Sequence, residues 1–300
     1  MLQEGGCGRG EQREPGRAKL AAVNRLFVSD LDGTLVDRRA RLSAYTRRHL
    51  TELLGAGLPF TVASARSVYT IAPILEGLSL ELPIVELNGA FITDLKTRQA
   101  LVCHALRPDV AAAVMAWGIE EEAPPFVCSY VNGSQQLTPP LVLANAGIAW
   151  YEASRRDARD PRLRAAADPR GLLEQPIVCL TLVAERARLA PIEAAIISNF
   201  PGQTHTLLYE NRYQPGWYWL TVQSHQANKA HAVEHVARLA GVDMATVTVF
   251  GDEINDVPMF EVAGRAVAVE NAVPELKRIA HEVIGPHDQD SVVRYLGAVA

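Results

Sequence analysis

The sequence is poor in the features that would tie it to a polymer, a membrane or an oxidising compartment. Lys and Arg number 29 against 34 Asp and Glu, and a net charge of -5 supplies no basic field for nucleic acid. No apolar run reaches the roughly 18 residues that a membrane-spanning helix needs. The 4 cysteines, Cys7, Cys103, Cys128 and Cys179, are scattered and form neither a Cys-x-x-Cys pair nor a Cys/His cluster with metal-ligand spacing. They read as buried free thiols in a reducing cytosol. Residues 1–24 are rich in Gly, Arg, Glu and Gln and lack the apolar segment of a secretory signal, so a disordered extension is expected there. There is no internal repeat. What these absences leave is a soluble, cytoplasmic chain, 300 residues long and 48% apolar, with room for two domains. Its expected partner is a small molecule, with neither nucleic acid nor membrane, and the chain is expected to be a monomer or weak homodimer.

The chain is organised around Leu26-Phe27-Val28-Ser29-Asp30-Leu31-Asp32-Gly33-Thr34-Leu35. An apolar run with β character ends abruptly in two aspartates and a Gly-Thr, which reads as a buried strand stopping at a polar loop. Two carboxylates about 4 Å apart repel each other by ~4 kcal/mol at an effective dielectric of ~20, so the pair calls for a cation or a proton. Taken alone, the same residues also fit a solvated Asp-x-Asp-Gly turn.

Strand and helix patterns then alternate. Ser43 stands where a helix N-cap would, and Leu50, Leu53 and Leu54 follow at helical spacing. A second strand at residues 60–63 ends at Ser64-Ala65-Arg66, an amphipathic helix follows, and a third strand at 84–87 ends in Asn88-Gly89-Ala90. This alternation predicts parallel pairing, with ligand groups collected at the carboxyl ends of the strands. From about residue 99 the chain becomes richer in Pro, Arg and Ala, and residues 155–170 are expected to form a short exposed helix or a mobile loop. The earlier grammar resumes with a strand at 217–223, a helix opened by Asn228-Lys229, and a buried strand running into Gly251-Asp252-Glu253-Ile254-Asn255-Asp256.

In order, type and context, Asp30 with Asp32, Ser64, Lys229, and Asp252 with Asn255 and Asp256 resemble the four motifs of the haloacid dehalogenase superfamily of phosphohydrolases. The long segment between the second and third motifs resembles the Cof-type subclass, as do Asn88-Gly89-Ala90 and Val269-Glu270-Asn271-Ala272. Two departures stand out: Ala65 where the subclass usually has Gly, and Asp290-Ser291-Val292 where it usually has Asp-Gly-Val. The resemblance implies an α/β fold, with a Rossmann-like parallel-sheet core from residues 25–98 and 206–300. An α/β cap would be inserted at 99–205, with hinges near 93–98 and 213–216.

The same resemblance implies Mg2+ as cofactor, held by Asp30, the Asp32 main-chain carbonyl and Asp252. Asp30 is then the nucleophile that forms an aspartyl-phosphate, and Asp32 the general acid and base. Ser64 donates to a phosphoryl oxygen, with Ala65 in the same turn, and Lys229 offsets the crowd of carboxylates. Asn255 touches the phosphate or positions the metal shell, Asp256 orients Lys229, and Asn88 supports the site. Arg66 reaches either the phosphate or the lid. Taken singly, Ser64 reads as a helix cap and Lys229 as a solvated helix-start lysine; His231 and His235 read as surface residues. The activity implied is hydrolysis of small phosphorylated metabolites, sugar phosphates foremost. A phosphosugar mutase and a non-catalytic phosphate sensor are the alternatives.

Overall fold

The computed structural model describes residues 25–211 and 214–299, so the expected extension at 1–24, Cys7 included, lies outside the described residues. The chain opens with β1 (Leu26–Ser29), α1 (Ala44–Gly55), β2 (Phe60–Val62), α2 (Val68–Ile71), β3 (Ile84–Glu86), β4 (Phe91–Thr93) and β5 (Ala100–Cys103). Then come α3 (Pro108–Glu120), β6 (Phe126–Val131), β7 (Ser134–Thr138), α4 (Ala146–Asp157), β8 (Ile177–Ala184), α5 (Arg186–Asn199), β9 (Thr204–Glu210) and β10 (Tyr218–Ser224). It closes with α6 (Lys229–Ala240), β11 (Val247–Gly251), α7 (Val257–Val262), β12 (Arg265–Val269), α8 (Pro274–Ile279), β13 (Glu282–Ile284) and α9 (Ser291–Val299).

The first sheet runs β13-β12-β11-β1-β2, and every pairing in it is parallel. Its inner strands β1 and β11, and β2 beside them, are buried along their whole length, as parallel strands covered on both faces are. The register sets Leu26 beside Val247 and Phe27 beside Phe60, which brings the carboxyl ends of β1, β2 and β11 together. Local signals place the helices. Ser43 Oγ accepts the Thr46 amide at 2.9 Å to start α1. Asn228 Oδ1 accepts the His231 amide at 2.9 Å to start α6, and Gly241, at φ 69°, ends it.

Parallel pairing does not continue through the first hundred residues as the pattern predicted. After the single bridge from Ala63 to Val85, β3-β4-β5 form an antiparallel meander, because the links between them are too short for a crossover. The second sheet, β7-β6-β8-β10-β9, is antiparallel throughout. Alternate residues divide its two faces. Val127, Leu180, Leu182, Leu220 and Val222 pack with residues of α3 and α5, whereas Phe126, Cys128, Cys179, Val183 and Trp219 pack with Ile148, Trp150 and Tyr151 of α4.

Helix α4 and strand β7 were not anticipated. The stretch 155–170 is exposed over much of its length and its first residues end α4, but Arg162 within it is buried, with Asp160 taking its guanidinium at 2.7 Å. The expected hinges are hairpin turns instead. Residues 94–99 join β4 to β5, and 214–216 lie in the turn from β9 to β10, with Tyr213 outside the described residues. The boundary expected between 205 and 206 falls inside β9, and the strand expected to rejoin the first sheet at 217–223 pairs instead with β8 and β9. The chain passes between the sheets after Cys103 and after Ser224. Among the described residues, no helix is long and apolar enough to cross a membrane.

Phe250 of β11 is fully buried and meets the Tyr295 ring of α9 edge-on, centroids 5.4 Å apart, so it ties the last helix to the first sheet. Phe250→Ala is expected to lower stability by about 3–5 kcal/mol in urea denaturation, the usual cost of emptying a buried aromatic site.

Candidate active site

Asp30 is the first residue beyond β1, and its amide donates to Phe250 O at 2.9 Å, so β11 holds it in place. Lys229, the first residue of α6, is buried to its tip. Its Nζ donates to Asp30 Oδ1 at 2.6 Å and to Asp256 Oδ1 at 2.5 Å. The other oxygen of Asp256 accepts the Asp252 and Glu253 amides at 2.9 and 3.1 Å. Asp256 therefore closes the loop after β11 and orients Lys229 with one carboxylate.

The turn after β1 fits this loop by close approach. Gly33, at φ 79°, lies so near Asp252 that a Cβ there would stand 2.1 Å from Asp252 Oδ2. Thr34 Oγ1 donates to Asp252 Oδ1 at 2.9 Å, and Asn271 Nδ2 donates to Gly33 O at 2.8 Å. Neither Thr34 nor Asn271 stood among the candidate site residues. Thr34 belongs to the Asp-x-Asp-Gly-Thr run, and its hydroxyl is the signal that could have marked it.

A second group of residues surrounds the turn after β2. Ser64 is buried, and its Oγ accepts the Arg66 amide at 3.2 Å, which leaves its hydroxyl hydrogen to donate elsewhere. Ala65 is exposed. Arg66 grips Asp32 in a two-pronged fork, Nε to Oδ2 at 2.6 Å and Nη2 to Oδ1 at 2.7 Å, with Asp32 about half exposed. Sequence alone left Arg66 between phosphate and lid and did not foresee this pairing. Asn255 Nδ2 donates to Asn88 Oδ1 at 3.0 Å, and Asn88 takes the left-handed conformation at φ 57°. Gly89 follows at φ 103°, where a Cβ would be 2.4 Å from Asn228 O, so the turn lies directly on the residue that caps α6.

One carboxylate oxygen from each of Asp30, Asp252 and Asp256 lies within 4.8 Å of the others. Three carboxylates against one ammonium leave an excess of two negative charges in a largely buried space. Burial, then the Asp256 and Asp252 carboxylates, push Asp30 well above its usual range in spite of Lys229. Burial, then Asp256, push Asp252 up to about 7, with the Thr34 hydroxyl pulling the other way. Burial alone would lower Lys229, but Asp256 and Asp30 reverse that and hold it above its usual value. Asp256 has both oxygens engaged; Asp30 and Asp252 each keep one outside the bonds described. This donor set fits a hard divalent cation, whose charge matches the excess.

Three comparisons bear on the chain. The haloacid dehalogenase-like hydrolase profile matches residues 27–296. The 5-amino-6-(5-phospho-D-ribitylamino)uracil phosphatase YwtE of Bacillus subtilis is 24% identical over 286 residues, covering 89% of this chain and 95% of its own. The HMP-PP phosphatase of Cronobacter sakazakii is 26% identical over 279 residues, with 91% and 94% covered. In fold, the chain is similar to a haloacid dehalogenase-like hydrolase from Bacteroides thetaiotaomicron at a TM-score of 0.73 and 21% identity, with 93% and 100% covered.

The Asp252 carboxyl gives a pH test. Unfolded, it releases its proton near 3.8; folded and free of metal, it holds the proton up to about 7. The folded state binds the extra proton, so this contribution is complete below pH ~4 and is lost as pH rises to ~7. Urea denaturation of metal-free protein is expected to show stability falling across that window, and Asp252→Asn is expected to flatten the slope.

Proposed function

The chain belongs to the haloacid dehalogenase-like hydrolases, in their Cof-type subclass, and from that premise we propose that it is a magnesium-dependent phosphatase of small phosphorylated metabolites, sugar phosphates foremost. The observation that carries the reading is Asp30, buried, fixed by Lys229 and crowded by the Asp252 and Asp256 carboxylates. The Bacillus subtilis relative is named for a uracil that carries a phosphorylated ribityl chain, a small phosphorylated metabolite as proposed here.

Lys229 anchors one oxygen of Asp30 and leaves the other to attack phosphorus. The new Asp30 O–P bond forms as the bond to the leaving oxygen breaks, and Asp30 carries the phosphoryl group until water displaces it. Asp32, protonated and released from the Arg66 fork when substrate binds, gives its proton to the leaving oxygen, which departs as an alcohol, and takes one back from the incoming water. The Ser64 hydroxyl donates to a phosphoryl oxygen, while Asn255, fixed by Asn88, borders the same space. Asp30, Asp252 and the Asp32 main-chain carbonyl would hold the magnesium, which supplies positive charge against the phosphoryl oxygens when bound. The second sheet and its helices serve as the cap that excludes water while the phosphoryl group moves.

The test is release of inorganic phosphate from an aryl phosphate. Activity is expected with magnesium and its loss after chelation; binding without release would sink the phosphatase reading in favour of a sensor. Asp30→Asn is expected to lower kcat by about 10⁴-fold or more at an unchanged circular-dichroism spectrum, since a nucleophile is being removed.

A further inference from the structure

Glu86, the last residue of β3, has no exposed surface, although it is a carboxylate two residues from Asn88. Burying such a charge costs several kcal/mol unless donors surround it. The donors come from three places. Val68 N–H at the start of α2 donates to Oε2; Thr93 Oγ1 of β4 donates to Oε1 at 2.5 Å; and Gln135 Nε2, from β7 of the second sheet, donates to Oε1 at 2.8 Å. The Gln135 amide can face only one way, because turning it over would set Oε1 against the carboxylate; its own Oε1 is buried with no partner. A second glutamine of that sheet, Gln223 of β10, donates to Leu87 O at 2.8 Å.

The segment these amides grip is also the one that shapes the Ser64 turn. Ser64 N donates to Val85 O, Asn88 N to Ser64 O and Leu87 N to Arg66 O, each at 3.0 Å. The Glu86 side chain completes the lacing at Val68 N. Glu86 thus bonds at once to the turn that presents Ser64 and Arg66 and to the hairpin of the other sheet.

We propose that Glu86 and Gln135 are positioning residues: their buried hydrogen bond sets the Ser64–Val68 turn in its working geometry only while the second sheet is seated on the first. The inference rests on Ser64 being a phosphate-holding group, as proposed above. With Gln135 withdrawn, Glu86 would draw in water or turn towards it, and the Val68 amide would lose its acceptor.

A charge swap tests this in the full-length protein. Gln135→Glu sets two carboxylates face to face. Adding Glu86→Gln restores the pairing with donor and acceptor exchanged: the new amide accepts Val68 N–H and donates to residue 135. Gln135→Glu is expected to lower kcat on an aryl phosphate with magnesium by about tenfold with little change in KM, the scale typical of coupling through a shared contact. Hydrogen exchange at amides 66–68 is expected to speed up by about tenfold or more in the same variant. The double variant should return both readouts to within about threefold of the starting protein. Gln135→Met removes the donor without adding charge and should move both readouts in the same direction. The proposal is overturned if the single variants change neither readout, if they lower melting temperature with kcat of the folded protein intact, or if the double variant is no better than Gln135→Glu. The exchange measurement needs no turnover, so an inactive starting protein would defeat the phosphatase reading while the exchange result still decides this one.

Discussion

A buried ammonium shared by two carboxylates is the interaction on which the rest of this structure depends. Lys229 joins Asp30, at the end of β1, to Asp256, beyond β11, and thereby fastens elements about two hundred residues apart in the chain. Removing the Lys229 ammonium would leave two buried carboxylates without their counter-charge, a change that costs roughly 3–5 kcal/mol. Lys229 nevertheless supplies one positive charge against three carboxylates. The remaining imbalance of two negative charges is what a dication would offset.

The backbone arrangement exists to bring these groups within reach. Parallel pairing of β1 with β2 and β11 collects their carboxyl ends, and Gly33 and Gly89 allow the turns to approach Asp252 and Asn228 more closely than any side chain would permit. The three-residue strand β3 has a second duty. It continues the first sheet's edge through the Ala63–Val85 bridge, starts the antiparallel meander, and offers Glu86 and Leu87 to two glutamines of the second sheet. The two sheets therefore meet next to the turn that holds Ser64.

Much of the candidate site was legible because its groups lie at ends of strongly patterned elements. Asp30, Lys229 and Asp252 follow or begin runs whose burial and capping are local matters, visible as apolar stretches, an Asn before a helix and a Gly after it. Less of the middle of the chain was legible. β7, Ser-Gln-Gln-Leu-Thr, has little apolar alternation and becomes a strand only because β6 turns back on it. The 155–170 stretch looked exposed because it is charged, yet Arg162 is buried by an aspartate two residues away.

The order of apolar runs and polar strand ends was enough, by itself, to determine an α/β chain with carboxylates, a serine and a lysine poised at strand and helix termini. Periodicity and capping are properties of neighbouring residues, and neighbours are what a sequence displays. Tertiary structure alone decided that Arg66 grips Asp32, that Thr34 holds Asp252, that Glu86 meets Gln135, and that β10 pairs with β8 and not with the first sheet. Each of those outcomes depends on how separate segments pack, and a hydrogen bond between residues 34 and 252 leaves no periodic trace in either.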